Sequence, residues 1–159
     1  MAFACFLKIE EIPGESTDEN HSDWIELLSY SHGLSQPTSG SVSSGGSLSA
    51  ERCDHQDFSV VKTLDKASPK LALFCCNGQQ LNEVKVELCR AGGDQQKYME
   101  YKMTKVLVTS VRPGGSAQGG EALPLEEVSF KYRKMEWTYT PENEGDIPAF
   151  WDLETNKGG

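Results

Sequence analysis

The sequence has no long apolar run. Nothing in its 159 residues approaches the ~20 consecutive apolar residues of a membrane-spanning helix. Membrane insertion is therefore not expected. There is no basic surplus either. Fifteen Lys and Arg stand against 24 Asp and Glu, for a formal net charge of -9. That balance excludes nucleic acid as a general partner, because phosphate binding needs a positive footprint. It also argues against adsorption to anionic lipid. The opening stretch MAFACFLKIEEIPGES lacks a basic leader, and Lys8 and Glu10 break its apolar run. No cleaved signal peptide is expected, so the chain should be cytoplasmic when synthesised. Cysteine is sparse and irregular: Cys5, Cys53, Cys75, Cys76 and Cys89. An odd count with such spacing is no disulfide framework and matches no zinc pattern. These thiols are expected to be reduced, small residues of the core.

Recognisable chemistry is also missing. The stretches AGGDQQ and RPGGSAQGG are rich in glycine. Neither is followed by the helix and Lys-Ser/Thr of a phosphate cradle, so both read as hairpin turns. His21 and His32 stand alone in polar sequence and read as surface or capping residues. Cys53 and His55 share one strand face about 7 Å apart, too far for a direct thiol–imidazole hydrogen bond. The acidic runs LEE and ENEGD read as solvated faces. No catalytic, cofactor-binding or metal-binding residue emerges. The expectation is a protein that is not an enzyme and needs no cofactor.

What is present is alternation. Residues 3–10 read as a strand with Cys5, Leu7 and Ile9 on one side. DWIELLSYSHG is a second strand, with Trp24, Glu26, Leu28, Tyr30 and His32 on one face and Ile25, Leu27, Ser29 and Ser31 on the other. Each of its faces is mixed. A Gly/Ser tract covers residues 35–50, and Phe58, Val60, Lys62 and Leu64 then alternate in a third strand. KASPKLALFCCNGQQ is the one clear helix. Ser68 is the expected N-cap, Pro69 the first helical residue and Gly78 the left-handed terminator. EVKVELCRA, YMEYKMTKVLVTSV and LEEVSFKYRKMEWTYT supply the remaining strands. In the last, Val128, Phe130 and Tyr132 share one parity, whereas Met135, Trp137 and Tyr139 share the other. A β-bulge near Arg133 or Lys134 would restore one inward face. Several antiparallel strands with Gly-rich turns and one helix make a mainly β barrel or sandwich. Residues 141–159 form a tail whose Phe150–Trp151 pair is either a docking anchor or an exposed patch.

The order of these motifs resembles one family. KxxDKASPxL at Lys62–Leu71, RAGG before a long strand ending SV, and VSFxYxKxxWxY at Val128–Tyr139 are its most specific marks. They are similar to the haemolysin-coregulated protein (Hcp) family, the tube protein of type VI secretion, over nearly the whole chain. The resemblance implies a single domain over residues 1–159, a small closed β-barrel of two antiparallel sheets with one short α-helix on its side. It implies hexameric rings that stack into a tube, tipped by a valine-glycine-repeat spike protein and driven by a contractile sheath. It also implies secreted effectors carried in the lumen, no catalytic activity, and export without a signal peptide. Ser29 and Ser31 would line that lumen. The extended loop at residues 35–50, through Val42, Leu48 and Ser49, would reach a neighbouring subunit and be ordered by it. Two other readings remain beside it. One is a monomeric β-sandwich that binds carbohydrate on Trp24 or Trp151. The other is a Cys/His hydrolase built on Cys53.

Overall fold

The computed structural model describes residues 3–39, 49–91, 96–118 and 123–159. Its elements run β1 (Phe3–Ile9), β2 (Ile25–Leu27), β3 (Ser29–Ser31), β4 (Leu34–Ser35), β5 (Thr38–Ser39), β6 (Ser49–Ala50), β7 (Asp54–His55), β8 (Phe58–Thr63), α1 (Ser68–Asn77), β9 (Leu81–Arg90), β10 (Lys97–Gly114), β11 (Leu125–Tyr139), β12 (Ile147–Asp152) and β13 (Lys157–Gly158). All pairings between them are antiparallel, and the main sheet runs β13-β12-β11-β10-β9-β1-β2. β8 joins it twice, on β11 and on β3. The core is the inward face of these strands, including Leu7, Ile25, Phe58, Val86, Met103, Phe130 and Met135. Burying each such side chain contributes roughly 1.5–3 kcal/mol. Among the described residues the fold is thus mainly β with one short helix.

The mixed faces of the sequence mark places where strands change sides. In residues 25–31, Ile25 and Leu27 are buried, Leu28 is exposed, and Tyr30 then packs against the core. The change coincides with a change of partner. β2 pairs with β1, whereas β3 pairs with β8. β11 does the same on a larger scale. Its residues 125–130 pair with β8 and residues 134–139 with β12, while β10 runs along its other edge. Buried parity switches between Tyr132 and Met135, and in β10 between Met103 and Val106. Register is kept through this point, from Thr104↔Lys134 to Val106↔Tyr132. The bulge expected near Arg133 or Lys134 is therefore absent. Both strands kink together instead, with Lys105 at φ 54 and the Arg133 carbonyl accepting from the Leu153 amide. The one register shift between β10 and β11 lies between Val108 and Ser110, at Thr109 of β10.

The helix begins one residue earlier than its sequence suggests. Ala67 holds the N-cap position and offers no side-chain cap, and Ser68 is the first helical residue. The Ser68 hydroxyl is drawn away by a buried lysine. Lys62, on the inward parity of β8, is fully buried. Its Nζ lies 2.8 Å from Asp65 Oδ1 and 2.8 Å from Glu126 Oε1. It also donates to Ser68 Oγ and the Thr63 carbonyl, each at 3.1 Å. Ser68 Oγ accepts from the Asp65 amide and donates to Glu126 Oε1. Glu126 is therefore not part of a solvated face. A buried charge survives only when it is paired and hydrogen-bonded on all sides, and the KxxDKAS residues supply that shell. At the other end Gly78 has φ 66, and its amide bonds the Phe74 carbonyl.

The tract at residues 35–50 and the tail both carry strands. β4 pairs with β7 and β5 with β6, so the base of the tract is a narrow ribbon. Val42 and Leu48 lie outside the described residues. In the tail, β12 adds to the edge of β11, and β13 pairs with β12 at Trp151↔Gly158. Phe150 and Trp151 thus belong to a strand, with Lys134 Nζ 4.8 Å from the Phe150 ring.

Candidate assembly surface

The face of β8 and its neighbours opposite the core carries a row of small hydroxyls, from exposed Ser31 through half-buried Ser59 and Ser110 to buried Ser129. Ser31 pairs with Ser59, Ser59 with Ser129, and Ser129 with Ser110. Directly paired residues point to the same face, so four serines form one row across β3, β8, β11 and β10. Ser59 and Ser129 join by a 2.8 Å hydroxyl hydrogen bond. Ser29 and Ser31 are exposed, with Tyr30 between them turned inward onto Phe58 at 5.7 Å. The next row, Ser29, Val61, Glu127 and Arg112, is largely polar.

Apolar residues collect at the two ends of β11. At its start, Leu123, Leu125 and Leu64 are 67, 44 and 42% exposed, and the Leu64 amide bonds the Pro124 carbonyl. At its end, Tyr139 pairs with Ile147, and both are exposed. Fifteen residues of strand separate the two groups by about 45 Å of chain path. Beside the second group an open hollow of about 680 Å³ is lined by Phe3, Tyr30, Tyr101 and Trp137.

At the root of the long loop the structure joins two histidines that sequence reading left apart. Tyr132 Oη lies 2.7 Å from His32 Nε2 and 2.6 Å from His55 Nδ1. A single hydroxyl can donate to one ring nitrogen and accept from the other ring's N–H. His55 thus spends its Nδ1 on Tyr132, and the Cys53 thiol points to the Asp54 carbonyl at 3.7 Å. There is no Cys53–His55 dyad. Burial holds both imidazoles below their ordinary value, and the neighbouring His55 charge adds to the effect on His32. Burial, then Cys53 and Asp57, raises the Tyr132 phenol. A base with a lowered folded pKa stabilises the fold above its unfolded value and loses that contribution as pH falls through the window beneath it. Melting temperature is therefore expected to drop as pH falls below the ordinary imidazole value of ~6.5. The drop should shrink in the His32→Gln/His55→Gln variant. Equal pH slopes in both proteins would contradict this.

The other expectations fall out unevenly. His21 is not at the surface; it is buried under Phe6 and Trp24. Cys5 and Cys89 are buried, whereas Cys53 and Cys75 are half-buried and Cys76 is exposed. The alternation Phe58-Val60-Lys62 already put a lysine on the core side, a signal for the buried pair that was there to be read. Nothing local marked His32 and His55 as partners except that they bracket the same loop.

The sequence profile described as "Type VI secretion system effector, Hcp" matches residues 6–139. The chain belongs to the Hcp family. Protein hcp1 of Pseudomonas aeruginosa is 34% identical over 98% of both chains. A solved structure of a type six secretion system protein has TM-score 0.91 at 34% identity, covering 99% of this chain and 100% of its own. Hcp1 from Salmonella typhimurium has TM-score 0.83 at 28% identity, with both chains fully covered. As an Hcp protein, the chain is a secreted, structural component of type VI secretion and not an enzyme. The Lys62–Asp65–Ser68–Glu126 cluster gives the Hcp-like KxxDKASP stretch its physical reason.

Proposed function

We propose that six copies of this chain close into a ring, and that rings stack into the inner tube of the secretion machine. Each subunit would be a closed barrel. The circuit β1-β9-β10-β11-β8-β3, returning through Leu28 to β2 and β1, supports that reading. A ring needs two unlike surfaces that mate head to tail. The separate apolar ends of β11 carry this proposal, because each subunit offers two such groups and both are exposed among the described residues. Ser29 and Ser31 would face the channel as part of the serine wall, wettable and without strong grip, against which secreted effectors ride. The loop at residues 35–50, through Val42, Leu48 and Ser49, would contact the next subunit. The valine-glycine-repeat spike protein would sit at the tip and the contractile sheath outside. In this reading the rings assemble in the cytoplasm and are then exported.

A monomeric carbohydrate-binding module fits less well. Trp24 is engaged edge-on by His21 at 4.7 Å and covered by Lys8 at 5.7 Å. Trp151 is half-buried within β12. Neither indole offers a free stacking platform. Native mass measurement separates the readings. The expected species is roughly 105 kDa, six times the 17.5 kDa subunit. A subunit mass at every concentration would overturn the ring.

A further inference from the structure

We propose that His21, Glu87 and Cys89 form a binding site for a divalent transition metal of the zinc class, stapling the β1–β2 loop to the sheet. This inference is independent of the tube reading, because all three ligands lie in one subunit. Residues 87 and 89 share the face of β9 opposite the core residues Val86 and Leu88, with Glu87 paired to Phe6 and Cys89, fully buried, paired to Ala4 of β1. The loop lays His21 across that face, with its ring stacked on Phe6 at 4.1 Å. His21 Nε2 then lies 2.9 Å from Glu87 Oε1 and 3.7 Å from Cys89 Sγ. All three donor atoms fall within 4.8 Å of one another.

The spacing suits a four-coordinate ion. Zinc bonds of ~2.0–2.3 Å to N, O and S place tetrahedral ligands ~3.3–3.8 Å apart. The nitrogen–sulfur distance already fits, and the nitrogen–oxygen contact need open by only ~0.4 Å. One imidazole, one thiolate and one carboxylate favour zinc, cobalt or copper over magnesium or calcium. The other ring nitrogen is prepared as well. His21 Nδ1 lies 2.7 Å from Asp18 Oδ2. Once a metal displaces the proton that Nε2 shares with Glu87, this carboxylate–histidine contact would hold the remaining proton on Nδ1 and turn the Nε2 lone pair toward the ion. Trp24 closes the ring edge-on, and a hollow of about 390 Å³ lined by Phe6, Thr17 and Asp18 adjoins the site. Water would complete the fourth position. Binding forms metal–N, metal–O and metal–S bonds and expels to solvent the Cys89 thiol proton and any proton held between Nε2 and Glu87.

The test is a cobalt(II) titration of the full reduced chain. One equivalent should produce thiolate-to-cobalt charge-transfer absorption with the strong visible bands of a tetrahedral site, and zinc should abolish both. Cys89→Ser should lose the charge-transfer band. Cys76→Ser, at the exposed thiol, should keep it. Asp18→Asn should retain the spectrum and weaken affinity about 10–100-fold. Glu87→Gln leaves both the thiol and the imidazole in place and should also weaken binding, so a Cys89 variant that fails to fold does not remove the test. Absence of the charge-transfer band in the wild type overturns the proposal, as does its persistence in folded Cys89→Ser or its loss in Cys76→Ser.

Discussion

Lys62→Met is expected to destabilise the protein by about 3–5 kcal/mol, the cost of breaking a buried ion pair by removing one partner. Against the 5–15 kcal/mol that typically holds a domain together, such a loss leaves little margin. The reason lies in what stays behind. Asp65 and Glu126 each lose an ammonium at 2.8 Å, and Glu126 is almost wholly buried. The Ser68 hydroxyl still satisfies Glu126 on one side only. Because these groups hold the start of α1 against β8 and β11, the helix entry should loosen first. Chemical denaturation of Lys62→Met and Glu126→Gln, singly and together, measures the effect. The double variant should lose less than the two singles combined, with coupling of about 0.5–3 kcal/mol. A Lys62→Met midpoint within ~1 kcal/mol of wild type would show that the cluster is not essential.

The second large effect concerns assembly. Leu64→Glu/Leu125→Glu is expected to turn the proposed ring into 17.5 kDa subunits while leaving the subunit folded. Both leucines are already more than two-fifths exposed in the isolated chain, so the change costs the fold little. In the proposed contact, two carboxylates per copy would be desolvated against a protein of net charge -9. Unpaired charges in an interface carry penalties of several kcal/mol, and a closed ring repeats the penalty at every contact. Light scattering and far-UV circular dichroism read the two halves of this prediction. A ring that survives with wild-type mass would exclude the start of β11 from the interface.

Alternation was enough to find the long strands and the mainly β class, because each inward run of Leu, Val and Phe repeats every second residue. The helix was legible from Pro69 and Gly78. The short strands β4 to β7 and the tail strands β12 and β13 carry no such repeat. Alternation also exposed the parity slip in VSFKYRKMEWTY. It could not say how the slip is resolved. A bulge in one strand and a shared kink in two leave the same trace in a single sequence, and only the partner strand, with Lys105 at φ 54, distinguishes them. The buried polar groups were hidden for a related reason. His21 lies 66 residues from Glu87, and His32 lies 100 from Tyr132. Spacing along a chain carries no record of such neighbours. The Ser68 misassignment has a different origin. A serine ahead of a proline satisfies the local rule for a cap, and the local rule yielded to a tertiary demand from Lys62.

The shared kink constrains how this sequence can change. A single-residue insertion or deletion in β10 or β11 alone would turn every side chain beyond it to the opposite face. Half of a long hairpin would then present Lys, Glu and Ser to the core and Val, Phe and Met to water. Thr109 shows that an extra residue can be absorbed, but only with a local register shift to match. Length variation among relatives should therefore avoid 97–108 and 130–139. Where it does enter, it should come as paired changes on both strands, so that this hairpin drifts in composition far more freely than in length.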